Sequence, residues 1–303
     1  MLLDTASLYF RAFYGVPSSV KAPDGTPVNA VRGLLDFIAR LVGDHQPTDL
    51  IACWDEDWRP AFRVAAIPSY KAHRVAEPVE SDLAGESVPD ELVPQVEIII
   101  ELLSLLGICR LGAPGYEADD VIGSLTAQTD DPILVVTGDR DLFQLVNDAQ
   151  PVRVLYTATK GVGNAEVVSD QTVFDKYGVH AHQYADFALL RGDTSDGLPG
   201  VRGIGDKTAA SLISQFGDID SLVAAVQSGT SGVKAAAQRN LLDSLDYVEA
   251  AKAVVRVAHD IKFEPFESRL PQQCPNRDAL DDFTARYGLT SSVARVITAF
   301  GWT

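Results

Sequence analysis

The chain has 303 residues, 46% of them hydrophobic and 22% charged, enough for one large buried core or two ordinary ones. No apolar run approaches the roughly eighteen residues needed to span a bilayer, and Met1-Leu2-Leu3-Asp4 has neither a basic segment nor a cleavage site, so a cytoplasmic protein away from the membrane is expected. Twenty-five Lys and Arg against 42 Asp and Glu give a net charge of −17, the wrong sign for coating a polyanion at large, so any such contact has to be local.

Taken in chain order, Met1 to Asp4, Leu50 to Trp54, Ile108 to Leu111, Ile133 to Val136 and Val152 to Tyr156 read as short strands. Between them, Val28 to Val42, Val93 to Leu106 and Ala118 to Gln128 carry apolar residues at helical spacing. The alternation predicts an α/β fold, a central mostly parallel sheet flanked by helices, whose working site lies at the carboxyl ends of the strands. Ala76 to Pro89, acidic and proline-rich, reads as an insertion. From about Ser169 the strand signals stop. Helices are expected over Val173 to Tyr177, His182 to Leu190, Asp206 to Phe216, Ile219 to Val226, Tyr247 to Val257, Arg277 to Tyr287 and Ser291 to Phe300. Residues 1–168 therefore form the α/β part and 169–303 a helical part. Cys53, Cys109 and Cys274 show no CxxC pair or zinc spacing, so a metal on sulfur is not expected.

Acids accumulate on one edge of the predicted sheet. Asp4 and Asp55 end the first two strands, Gly115-Tyr116-Glu117-Ala118-Asp119-Asp120 opens the helix after the third, and Thr137-Gly138-Asp139-Arg140-Asp141 follows the fourth. Residues two apart on an extended or turning backbone point the same way, so Asp139 and Asp141 can grip one ion together. Each acid alone is ordinary helix-start or turn chemistry. Together they repel unless cations neutralise them, and oxygen-only donors suit hard ions such as Mg²⁺ or Mn²⁺. Two such ions are a known device for hydrolysing phosphodiesters.

The helical part adds Asp193 and Asp196, three apart within Arg191 to Gly200, and then Gly200-Val201-Arg202-Gly203-Ile204-Gly205-Asp206-Lys207-Thr208-Ala209. Glycines that admit close approach, followed by the free amides of a helix start, suit the grip of a nucleic-acid backbone without reading bases. The alternative is an ordinary interhelical turn. The string joins helix to helix and is no dinucleotide fingerprint.

Together these strings, with Tyr9-Phe10-Arg11-Ala12-Phe13, Trp54-Asp55 and Tyr70-Lys71-Ala72-His73-Arg74, resemble the 5′ nuclease family that includes the amino-terminal domain of bacterial DNA polymerase I, phage 5′ exonucleases and flap endonucleases. The resemblance implies a PIN-like 5′ nuclease core, a helical arch over about residues 59–94, and a C-terminal helix-hairpin-helix-type DNA-binding region with its hairpin at about 193–216. It implies that Asp4, Asp55, Glu117, Asp119 and Asp120 hold or orient one Mg²⁺ or Mn²⁺, that Asp139, Asp141, Asp193 and Asp196 hold another, and that Asp119 bridges them; a third ion is left open. Setting these nine acids aside about halves the negative charge excess. Lys71 and Arg74 would neutralise the scissile phosphate, and Tyr70 would stack on a base at the cut. Gly203, Gly205, Lys207 and Thr208 would hold duplex DNA, with a monovalent cation such as K⁺ at the turn. Arg11 would contact a phosphate or pair with the surrounding acids. The implied partner is DNA with 5′ flaps or 5′ ends, bound by a monomer acting in replication or repair. One departure is that the family usually has Asn after the second acid of the Asp193–Asp196 motif, where this chain has Gly197. No polymerase or proofreading part accompanies the match, as in a stand-alone enzyme or an excised fragment.

Three other readings compete. A metal-dependent RNase would share the acidic edge, but the glycine hairpin favours duplex DNA. A catalytically silent DNA-structure binder would tend to lose part of so costly an acid cluster. A small-molecule phosphatase would need a DxD at the first strand, where Asp4 is followed by Thr5 and Ala6.

Overall fold

Five short apolar runs pair in parallel to make the framework. In the computed structural model, which describes residues 1–75 and 88–302, β1 (Leu2–Asp4) is followed by α1 (Thr5–Gly15), α2 (Asn29–His45), β2 (Ile51–Trp54), α3 (Ala61–Ala66), α4 (Val93–Leu105), β3 (Cys109–Gly112), α5 (Ala118–Ala127), β4 (Ile133–Thr137), β5 (Val152–Tyr156) and β6 (Glu166–Val168). The strand order is β3-β2-β1-β4-β5-β6, parallel except for β6. After β1 the chain builds outward through β2 and β3, then returns to the other side of β1 for β4 and β5. The connections thus diverge between β1 and β4, and a crevice opens at the carboxyl ends of those two strands.

Alternation along the strands sorts the core into two layers. Leu2, Ile51, Cys53, Val135, Val152 and Val154 face one cluster. Leu3, Ala52, Trp54, Val136 and Leu155 face the other. Both faces are covered, which is why the strands read as nearly continuous apolar runs.

The remaining helices are α6 (Asp170–Tyr177), α7 (Tyr184–Arg191), α8 (Asp206–Phe216), α9 (Ile219–Gln227), α10 (Ala235–Leu242), α11 (Leu245–Val255), α12 (Arg277–Tyr287) and α13 (Thr290–Phe300). The expected spans of β5, α8 and α12 agree to the residue. Helices α7, α8, α9 and α11 pack with α5 on the first layer through Phe187, Ile213, Leu222 and Val254. The last two helices do not stay with them: Leu280, Phe283, Val293 and Val296 join the second layer with Leu34, Leu35 and Ile99 of α2 and α4. The helical part therefore covers both faces of the sheet, and 169–303 is not one packing unit.

Four elements were not expected from sequence. Helix α1 starts the moment β1 ends, because Asp4 caps it by accepting the Ser7 amide at 3.2 Å. The short α3 precedes the insertion, β6 has only three residues, and α10 buries only Leu241. Residues 76–87 of the expected arch lie outside the described residues. Among the described residues no single helix is long and apolar enough to cross a membrane.

Candidate active site

Strand β1 delivers Asp4 and β4 delivers Thr137, and the two meet: Thr137 Oγ1 donates to Asp4 Oδ2 at 2.6 Å. Asp55, just past β2, accepts the Ala118 amide at the start of α5 at 2.7 Å. A cleft of about 640 Å³ opens here, lined by Asp4, Asp55, Glu117, Asp119, Asp139 and Asp193 with Lys71 and Arg74. Tyr9, Phe10, Trp54 and Trp58 form its aromatic side.

Burial and crowding make this edge electrostatically costly. Asp4 is pushed up to about 7 by burial and by the charges of Asp55 and Asp139, against the opposing hydrogen bonds from Thr137 and Ser7. Asp119 lies well above the carboxylate range through burial, then Asp4, Asp139 and Glu117. Asp141 is driven far up by burial and by Asp139, Asp196 and Asp193. Asp55 and Asp196 are raised in the same way, Asp55 by burial with Glu117 and Asp120, Asp196 by burial with Asp139 and Asp193. Asp139 helps to raise Asp4, Asp119, Asp141 and Asp196, so its charge is felt across the whole edge. Its carboxylate also accepts the Asp141 amide at 2.8 Å, where the chain turns into a short 3₁₀ segment.

Asp193 differs. Burial would raise it, but the Ser195 hydroxyl and amide, with Arg191 and Arg140, hold it below the usual range. The other acids carry internal cations as well. Lys71 pairs with Glu117, and Arg74 reaches Asp196 at 3.2 Å. Arg63 Nη1 lies 2.5 Å from Glu117 and 2.7 Å from Asp120. Among the described residues no three acid, His or Cys side chains stand around one point closely enough to hold an ion. The donors are hard oxygens of the right kind, raised in proton affinity by their neighbours, so they fit a divalent cation by chemistry; the acids have to exchange their basic partners for it.

Two expected site residues point elsewhere. Asp120 does not face the cleft. Its oxygens take both Arg63 Nη atoms at 2.7 Å and the Ala258 amide at 2.9 Å, and it is fully buried, because one step along α5 from Asp119 turns the side chain inward. Tyr70 is buried too, and its hydroxyl donates to Glu117 at 2.6 Å, so its ring offers no open stacking face in this conformation. Arg63, which joins α3 to α5 and donates to the Val254 carbonyl at 3.2 Å, escaped the sequence reading. Its signal was a lone Arg within the short apolar run Ala61 to Ala66.

The hairpin stands beside the acids. Ile204 and Ala209 are buried, whereas Gly203, Gly205, Lys207 and Thr208 are exposed around the first turn of α8. A second groove, lined by Arg140, Lys176, Arg191, Lys207, Tyr177 and Phe187, shares Arg140 and Asp193 with the acidic cleft. Arg11 lies under Gly138, and its buried Nε has no hydrogen-bond partner among the described residues.

An acidic crevice at the switch point of a parallel sheet, continuous with a basic groove at a helical hairpin, defines the class as a nuclease. The description "5′-3′ exonuclease, N-terminal resolvase-like domain" matches residues 1–178, and "5′-3′ exonuclease, C-terminal SAM fold" matches 179–278. A "5′-3′ exonuclease" of Streptomyces coelicolor is 55% identical over 298 residues, 98% of this chain and 99% of that protein. The fold is shared with the phage T5 D15 protein crystallised with metal ions (TM-score 0.67, 19% identity, 98% of both chains) and with the catalytic core of Rad2 in complex with DNA substrate (TM-score 0.60, 19% identity, 99% of this chain and 92% of that one). The chain belongs to the 5′-3′ exonuclease family.

Proposed function

We propose that this protein hydrolyses DNA phosphodiesters at 5′ ends and 5′ flaps with two divalent metal ions, in replication or repair. The observation that carries the reading is the gathering of Asp4, Asp55, Glu117, Asp119 and Asp139 along one cleft at the switch point, where burial first and then neighbouring carboxylates push Asp4, Asp55 and Asp119 upward. Such an array is costly unless cations are its ligands. Asp4, Asp55, Glu117 and Asp119 would hold one Mg²⁺ or Mn²⁺, and Asp139, Asp141, Asp193 and Asp196 the other. A pair of ions there would supply a hydroxide near neutral pH and stabilise the leaving oxygen.

The protein's own groups do the rest. Lys71 and Arg74, paired here with Glu117 and Asp196, would be released to neutralise the scissile phosphate when those carboxylates take up divalent cations. Asp120 works from behind, fixing Arg63 and through it Glu117. Tyr70 becomes free to meet a base once Glu117 turns to an ion. Exposed Lys207 and Thr208 hold the duplex by its phosphates, and Gly203 to Gly205 offer carbonyls to a K⁺ ion.

The test is cleavage of a 5′-labelled flap duplex beside the matching single strand and blunt duplex, with Mg²⁺, with Mn²⁺ and with chelator. Metal-dependent cutting at the flap junction is expected. Binding without cutting under either metal would point to a silent DNA-structure binder, and preferential cutting of single-stranded RNA to the RNase reading.

A further inference from the structure

Gly197 directly follows the second acid of the Asp193–Asp196 pair, and the tertiary structure gives that glycine a task. Its backbone is left-handed, with φ +73°, and a Cβ there would stand 2.1 Å from the carbonyl oxygen of Ser69 and 3.0 Å from its carbon. Asparagine tolerates the dihedral but not the approach. Two hydrogen bonds fasten the same stretches of chain: Ser69 Oγ donates to the Gly197 carbonyl at 2.8 Å, and the Lys71 amide donates to the Asp196 carbonyl at 3.0 Å. Arg59 grips the far side through the carbonyls of Tyr70 at 2.6 Å and Pro68 at 2.9 Å.

Between these clamps sits Lys71, with φ +47°, one of two non-glycine residues with positive φ among the described residues. Such a backbone persists only where the surroundings enforce it, and it tends to occur where function needs it. The ammonium that it presents rests on Glu117 at the acidic edge.

We infer that Gly197 is a positioning residue for Lys71. By admitting the Ser69 carbonyl against its bare Cα, it clasps segment 69–74 to the Asp193–Asp196 loop and holds the Lys71 ammonium at the reacting phosphate. This rests on the nuclease reading above. A side chain at 197 has to push Ser69 away by about 1 Å, a misplacement that lowers a catalytic rate about 100-fold.

The experiment compares wild type, Gly197→Asn, Gly197→Ala, Lys71→Ala and the double variant Gly197→Asn/Lys71→Ala in single-turnover flap cleavage, with DNA affinity measured separately. Hydrogen exchange of the peptide spanning Ser69 to Arg74 and thermal melting are recorded on each. Each single variant is expected to lose about 100-fold in rate at unchanged affinity, and the double variant to be no slower than Lys71→Ala alone. Both substitutions at 197 should also remove exchange protection from the Lys71 amide while melting stays near wild type. Asn restoring the rate that Ala loses would make the dihedral, not the close approach, the constraint, and would overturn the inference. Multiplying losses in the double variant, or unchanged protection at Lys71, would overturn it equally. If wild type cuts nothing, the nuclease reading fails, and the exchange data still decide whether the clasp exists.

Discussion

Asp193 and the acids of the strand ends are built differently. Asp4, Asp55 and Asp119 hang from strand ends and the start of α5, where burial and mutual repulsion outweigh the hydrogen bonds from Thr137, Ser7 and Ala118 and the charge of Lys71. Asp193 sits in a loop that supplies its own answer, with Ser195, Arg191 and Arg140 all favouring the ionised form. A rigid edge stores electrostatic cost that a bound cation relieves, whereas a loop can compensate its own charge and give it up on demand. The edge is therefore where metal binding and stability should be most tightly coupled.

The sharpest way to break this contrast is Asp139→Ala, which removes a charge that raises Asp4, Asp119, Asp141 and Asp196. Cleavage should fall at least about 1,000-fold, the loss expected of a principal electrostatic contributor, while the chelated protein melts higher than wild type. A chelated variant that melts lower would make Asp139 a structural acid. Next comes Arg63→Ala, which strands Asp120 without its cation, leaves Glu117 only Lys71, and should destabilise folding by about 3–5 kcal/mol, read from the denaturant midpoint.

The edge should also announce itself through pH. Asp4, with a folded value of about 7 against 3.8 for the free group, binds its proton more tightly folded than unfolded; Asp119 and Asp141 are displaced in the same direction. In chelator, stability should accordingly be greatest below about pH 4 as far as these groups decide it and fall as pH rises through 7, by several degrees of melting temperature at least. Mg²⁺ should flatten that slope; a metal-free slope of opposite sign would mean the acids are already compensated. The smallest effect is expected at the groove: Lys207→Ala should weaken duplex binding a few-fold and reduce the salt slope by about one, leaving the rate at saturating DNA unchanged.

Five of the six strands, most of the helices, the acids at the strand ends and the glycine hairpin are legible in the order of amino acids, because each is a local pattern of period, cap or turn, whereas α1, α3, β6 and α10 are not. That order also ranked neighbouring acids alike. Only the tertiary structure separated Asp119 from Asp120, since Asp120 is claimed by Arg63, 57 residues away, and by the Ala258 amide, 138 residues away. The same holds for the return of α12 and α13 onto the far face of the sheet, and for Gly197, whose meaning lies in a carbonyl at position 69. Local chemistry decides where a carboxylate emerges; which base or amide meets it depends on packing between segments far apart in the chain, and no spacing in the sequence records that distance.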